Sequence, residues 1–259
     1  MAKTIDIGIC GTQHVNKNEI IREKLDSVRK DLLNGNNNNA LCYDGIVSEK
    51  DYKKSGFKLA FLLKETNGND SDGESPEKYE DWDYIGWIRD IAEGKEKLYP
   101  TFRNIAMWSA EFFDIMEKGQ LDKSQYIKDG ALVVNDELVK VLKKIALLNL
   151  KKTWGKGTTD WNDLNDYLLN EKARFVVRDE ISLINPDVVI CGSNQVFDFA
   201  CNIYNEKSET IATKKNNKLN YFKYGKTVFV SFYHPSCRKG REMVFDYAED
   251  IFEALKTIM

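Results

Sequence analysis

Val228-Phe229-Val230-Ser231-Phe232-Tyr233 runs directly into His234-Pro235-Ser236 in this chain of 259 residues. Six apolar or β-prone residues read as a buried strand, and the proline ends the hydrogen-bond ladder. The histidine's position matters because open α/β sheets bind ligands just beyond the carboxyl ends of their strands. Only two histidines are present, and the other, His14, lies in a polar stretch and reads as surface. Two readings of His234 stand at this point: a residue held in its turn by a local hydrogen bond, or part of a site.

Working outward, three further apolar runs read as strands: Phe57–Leu63, Ile145–Leu150 and Asp187–Gly192. Helical periodicity covers 17–33 (Ile20, Ile21, Leu25, Val28, Leu32, Leu33), 82–118, 137–143, 164–184, 196–204 and 243–258. Asn185-Pro186 stops the fourth of these. Asn34–Asn39, Thr66–Pro76 and Trp154–Asp160 read as polar loops, and 205–226 as a polar connection. Apolar strands separated by helices predict an α/β fold, a three-layer α/β/α sandwich around a central, mostly parallel four-stranded sheet. The length suits a single domain, with 1–55 as helical N-terminal decoration and 56–259 as the α/β core.

Composition narrows the function classes. The chain is 42% hydrophobic with 13 Phe, 12 Tyr and 5 Trp, which supplies a sizeable core. A net charge of −3 gives no global basic field, so contact with a polyanion needs a local patch. No apolar run approaches the ~18 residues of a membrane span, and no signal-peptide core follows Met1. The cysteines (Cys10, Cys42, Cys191, Cys201, Cys237) are odd in number and lack CxxC spacing. That argues against a disulfide framework or a zinc or iron–sulfur site and for cytoplasmic thiols, with Cys191 in the core. No metal or cofactor is implied. A monomer is favoured, though the sequence leaves the oligomeric state open.

The four strand ends form one neighbourhood. They carry Lys64-Glu65-Thr66-Asn67, Asn149-Leu150-Lys151-Lys152, Gly192-Ser193-Asn194 and His234-Pro235-Ser236. Glu65 could orient a water or stabilise a developing cation. Asn149 offers a donor and an acceptor side by side, matching the Watson–Crick edge of a pyrimidine. His234 could donate to an oxygen gaining negative charge. Together they suit cleavage of an N-glycosidic bond, with Lys64, Asn67, Asn194 and Ser236 as further substrate-binding candidates. Lys151, Lys152 and Lys156, with Arg238, Lys239 and Arg241, make two basic clusters at the same edge, a candidate phosphate patch. Each feature has an ordinary alternative: Asn149 as a turn former, Glu65 as a solvated loop acid, the basic clusters as solvated faces. Ser193 and Ser236 lack an acid-orienting partner for nucleophilic roles. The aromatic 82–112 region reads as core and lid packing.

The order of these strings resembles the uracil-DNA glycosylase superfamily. Phe61-Leu62-Leu63-Lys64-Glu65-Thr66-Asn67 is similar to its first motif, a strand followed by G-x-D-P-Y or a variant. Leu147-Leu148-Asn149-Leu150 resembles the strand ending in its uracil-reading asparagine. Val189–Asn194 is similar to its penultimate strand, and His234-Pro235-Ser236 to the start of H-P-S-P. The resemblance covers roughly 57–259 in topology and about twenty residues as motif. It implies that His234 stabilises the departing uracil anion through O2, that Asn149 reads N3–H and O4 of a flipped base, and that Glu65 positions water or stabilises the sugar cation. An aromatic ring would stack on the base, with Trp82, Tyr84 and Phe102 as candidates. DNA is the implied partner and base flipping the implied route. Leu63 and Thr66 replace the glycine and proline of the first motif. Asn67 stands where tyrosine or glycine is usual, and Cys237-Arg238 replaces Pro and an intercalating Leu. The iron–sulfur cysteines of one branch are absent. Two other functions stay open: a protein that binds a base, nucleotide or nucleic acid without cleaving it, and a hydrolase of free nucleosides or nucleotides.

Overall fold

The computed structural model describes residues 16–33, 40–67, 80–128, 131–155, 160–237 and 241–259. The Asn34–Asn39 run, most of the Thr66–Pro76 stretch, His14, Cys10, Lys156, Arg238 and Lys239 lie outside them. Among the described residues, seven strands form the central sheet: β1 (Gly45–Ile46), β2 (Leu59–Leu63), β3 (Ile145–Asn149), β4 (Val188–Cys191), β5 (Glu209–Ala212), β6 (Lys218–Tyr224) and β7 (Thr227–Ser231). They lie in the order β5-β6-β7-β4-β2-β3-β1. The four strands expected from the sequence make one contiguous parallel block, β7-β4-β2-β3. Antiparallel strands flank it on both sides.

The expected four-stranded sheet is therefore corrected to seven. The 205–226 connection is a β-hairpin of β5 and β6, joined to β7 through Gly225-Lys226, with Gly225 at φ 58°. Its outer strand is almost wholly exposed, and lysines flank the buried Leu219, Tyr221 and Phe222 of β6, so the period-two contrast is weak. β1 has two residues, too few to carry a pattern.

Every residue of the parallel block is buried, which is why those strands read as unbroken apolar runs. The main helices are α1 (Lys17–Ser27), α2 (Tyr84–Ala92), α3 (Pro100–Phe113), α4 (Trp161–Leu169), α5 (Glu171–Ile184), α6 (Asn194–Tyr204) and α7 (Arg241–Leu255). Alternate strand residues such as Phe61, Leu147, Ile190 and Val230 share one core with α2, α3 and α7. Leu62, Leu148, Val189 and Phe229 share the other with α1, α4, α5 and α6. The stretch expected as one helix over 164–184 is two. Asn170 ends α4 while its side chain accepts from the Lys172 N–H to cap α5, and Asn185 closes α5 at φ 55°.

The N-terminal segment, expected as helical decoration, also supplies β1, and Ile21 and Leu25 of α1 are core residues. Asn18 covers the β1 edge as a neighbouring strand would. Its Nδ2 donates to the Ile46 carbonyl at 2.7 Å, and its Oδ1 accepts from the Ile46 N–H at 2.9 Å. Among the described residues, no helix is long and apolar enough to cross a membrane.

Candidate functional site

Sheet register brings the carboxyl ends of the parallel block together. Leu63 pairs with Asn149, and beyond that pair Leu150 and Lys151 donate to the carbonyls of Leu63 and Lys64, each at 2.9 Å. Gly192 N–H reaches the Leu62 carbonyl at 2.9 Å, and Phe232 N–H the Cys191 carbonyl at 3.0 Å. Gly192 makes the close approach possible: a Cβ there would stand 2.7 Å from Leu63 Cδ2 and 3.3 Å from the Pro235 ring. The His234-Pro235-Ser236 turn thus packs over the ends of β4 and β2. Asn104 of α3 ties it down by donating from Nδ2 to the Pro235 carbonyl at 2.6 Å.

His234 is held in its turn by local hydrogen bonds. Nδ1 lies 2.7 Å from Ser236 Oγ and accepts from the Ser236 N–H at 3.2 Å, a local turn lock. An accepting Nδ1 puts the proton of a neutral imidazole on Nε2. Burial, then the positive charge of Lys64, pushes the His234 pKa down to about 4. At neutral pH the ring is therefore uncharged, with Nε2–H free of the turn lock to act as a donor. Lys64 is half-buried; burial lowers its pKa and Glu65 raises it.

Asn149 is 1% exposed. Its backbone N–H donates to Asp44 Oδ2 at 2.6 Å and its Nδ2 to the same oxygen at 3.3 Å, whereas Oδ1 is buried without a hydrogen-bond partner among the described residues. A buried polar atom left unpaired costs roughly 1–3 kcal/mol, so its retention calls for an explanation. Asp44 in turn receives Lys152 Nζ at 2.8 and 2.9 Å, and Lys152 also ion-pairs with Glu180 of α5. Burial raises the carboxyl pKa of both Asp44 and Glu180, while the Lys152 charge opposes it. Burial alone would lower the Lys152 pKa, but the two carboxylates outweigh it and raise it.

Glu65 is neither a solvated loop acid nor aimed at solvent: its side chain is 2% exposed. Lys151 Nζ lies 3.5 Å from Glu65 and ion-pairs more closely with Asp163 of α4. Burial raises the Glu65 pKa; Lys151 and Lys64 lower it. Gly155 makes room for the carboxylate, since any Cβ there would run into the Glu65 side chain. Thr66 and Asn67 pair with Trp154 and Gly155 in a small parallel ladder above this carboxylate.

Lys151 and Lys152 are therefore corrected as phosphate contacts. Lys152 is fully buried between two carboxylates, and Lys151 is 7% exposed with two of its own. Of the second basic cluster, Arg241 opens α7, and Arg238 and Lys239 lie outside the described residues, as does Lys156. Asn194 accepts from Ser231 Oγ at 2.7 Å, and Ser193 caps α6. Tyr84 and Phe102 are core residues, while the partly exposed Trp82 stacks on Trp154 at 4.7 Å between centroids. The register thus gathers Lys64, Glu65, Asn149 and Lys151 at adjoining strand ends, and the Gly192 contacts with Leu63 and Pro235 bring the His234 turn beside them.

Sequence reading missed Asp44, Glu180, Asn104 and Gly155. Glu180 had a legible signal, because it falls on the apolar stripe of α5 with Ala173, Val176, Val177, Ile181 and Ile184. Comparison with known proteins finds no family model and no curated protein that matches this chain.

Proposed function

We propose that this chain is a three-layer α/β/α protein of the uracil-DNA glycosylase type, which removes uracil or a related base from DNA by hydrolysis of the N-glycosidic bond. The observation that carries this reading is a histidine held neutral at the same sheet end as a buried carboxamide whose acceptor oxygen has no partner among the described residues. The parallel order β7-β4-β2-β3 and burial on both faces of the sheet support the architecture.

In this mechanism the bond between sugar C1′ and the base nitrogen breaks, and its electron pair leaves with the base. His234 Nε2–H hydrogen-bonds the oxygen that gains the negative charge, without transferring its proton. Asn149 reads the base edge; water then adds its oxygen to C1′, and its proton passes through solvent to the departed base anion, leaving a neutral base and an abasic sugar. Glu65 stands beside the site as the carboxylate that favours the sugar cation. Because Asn149 is shielded from solvent, a flipped base reaches it only after local opening of the strand-end segments. A cytoplasmic setting fits the free thiols of Cys42, Cys191, Cys201 and Cys237.

A second reading, a protein that binds a base or nucleotide without cleaving it, draws on one feature. The Glu65 carboxylate is engaged by Lys151 and enclosed by Gly155. An excision assay separates the two. Labelled single- and double-stranded oligonucleotides carrying uracil, hypoxanthine, xanthine or a thymine mismatch are treated with alkali after incubation. Cleavage abolished by His234→Ala and by Asn149→Ala is the expected result. Absence of excision on every substrate, with the chain folded and binding uracil-containing DNA, would replace it with the binding reading.

A further inference from the structure

Asp44 lies between two strand pairings: Tyr43 pairs with Asp83, and Gly45 pairs with Leu147 of β3. Its side chain is thereby carried under the end of β3, where Oδ2 accepts from both the backbone N–H and the Nδ2 of Asn149 at 2.6 and 3.3 Å. An ionised carboxylate only accepts. The amide nitrogen of Asn149 must therefore face Asp44, and Oδ1 must face away; the flipped carboxamide would set two acceptor oxygens against each other. Lys152, itself ion-paired with Glu180, holds the Asp44 carboxylate in place. The orientation of Asn149 is thus fixed by a charged partner within a solvent-free network, and its Oδ1 is the atom left without a partner among the described residues.

We infer that Asp44 is a positioning residue that locks the flip state of the Asn149 carboxamide. It thereby selects a base whose edge presents a ring N–H over one whose edge presents a bare ring nitrogen. The inference rests on the base-pocket reading of this site. In uracil the ring nitrogen facing such a reader is a donor flanked by a carbonyl. In cytosine it is an acceptor flanked by an amino group. Oδ1 with the remaining Nδ2–H complements the first arrangement, and the flipped carboxamide complements the second. Asp44 would therefore act on specificity without touching the base.

Asp44→Asn is the informative variant. The neutral carboxamide offers one acceptor oxygen where the carboxylate served Lys152, the Asn149 backbone N–H and the Asn149 side chain, so the lock on the flip state of Asn149 is weakened. The measurement is binding of free uracil and free cytosine to the full chain, followed by NMR, for the wild type and Asp44→Asn. A purely structural role would weaken both ligands alike. The positioning role predicts that the ratio of uracil to cytosine affinity drops by about tenfold or more, the effect of roughly one lost orienting hydrogen bond. An unchanged ratio in a folded variant overturns the inference and leaves the base-pocket reading standing. No uracil preference in the wild type sinks the base-pocket reading and the inference with it. Should the variant fail to fold, the Asn149 side-chain amide of the wild type decides. One slowly exchanging proton and a shift on adding uracil are expected, and two equivalent, freely exchanging protons overturn the inference.

Discussion

Lys152 places its ammonium 2.8 and 2.9 Å from the two carboxylate oxygens of Asp44, and neither residue has meaningful contact with solvent, at 0% and 3% exposure. Removing the cation alone leaves Asp44 and Glu180 buried without compensation. Lys152→Met is expected to cost about 3–5 kcal/mol, whereas replacing the whole set with neutral partners of similar size should recover most of that loss. Urea unfolding measures both. A cost below about 1 kcal/mol, the range of an exposed pair, would show that these charges are solvated.

Glu180 gives this network a pH signature. Burial pushes its carboxyl up to about 8, and Asp44 adds to the rise while Lys152 opposes it. A raised acid contributes stability in full below its ordinary value near 4.5, and that contribution is lost as pH rises through about 8. Stability from this group therefore declines across that window. Glu180→Gln is expected to flatten the decline, and a set of urea midpoints between those limits tests it. Identical profiles for the two proteins would mean that Glu180 titrates as a solvated acid.

His234 carries the opposite sign. With its pKa pushed from 6.5 down to about 4, the folded chain resists protonation that the unfolded chain accepts. Its contribution is present above 6.5 and fades as pH falls through about 4. An NMR titration of the imidazole should find its midpoint near 4, with His14→Ala identifying the resonance. Lys64→Met should raise that midpoint part of the way toward 6.5, because the larger cause, burial, stays. A wild-type midpoint at 6.5 would show that neither burial nor Lys64 acts on the ring and remove the argument that the fold holds it neutral.

The parallel block was legible from the sequence because strands buried on both faces need no alternation, and Val188–Cys191 and Thr227–Ser231 are apolar almost throughout. The same runs locate the strand ends, which puts Glu65, Asn149 and His234 at one edge of the sheet. The hairpin of Glu209–Ala212 and Lys218–Tyr224 escaped because an edge ribbon with one solvated side carries little hydrophobic signal. The fate of the lysines escaped for a different reason. Lys151 and Lys152 are adjacent in sequence and look like a solvated pair, yet Asp163 and Glu65 claim the first, and Asp44 and Glu180 the second. Those acids are local only in space. Charge clusters in sequence indicate sign, and only tertiary pairing indicates whether the charge is available.

Asn104 supplies the last prediction. Its Nδ2 is bonded to the Pro235 carbonyl, and Pro235 is buried between a histidine and a serine that lock each other. The turn is therefore fixed by one side chain from α3 and by its own internal hydrogen bonds, with the ring of Pro235 seated against Gly192. Asn104→Ala removes the outer tether and leaves a carbonyl without its partner, at an expected cost of about 0.5–1.5 kcal/mol in global stability. Its effect on chemistry should be larger than its effect on folding, because a donor displaced by a fraction of an ångström loses most of its value for a developing anion. If His234 acts as proposed, kcat for base excision should drop about tenfold with KM little changed, the pattern of an interaction made mainly in the transition state. Asn104→Asp offers only acceptors when ionised, so it should not restore the rate, whereas Asn104→Gln should restore part of it. Unchanged kcat in a variant whose turn is shown by NMR to be loosened would mean that the position of His234 does not limit the reaction.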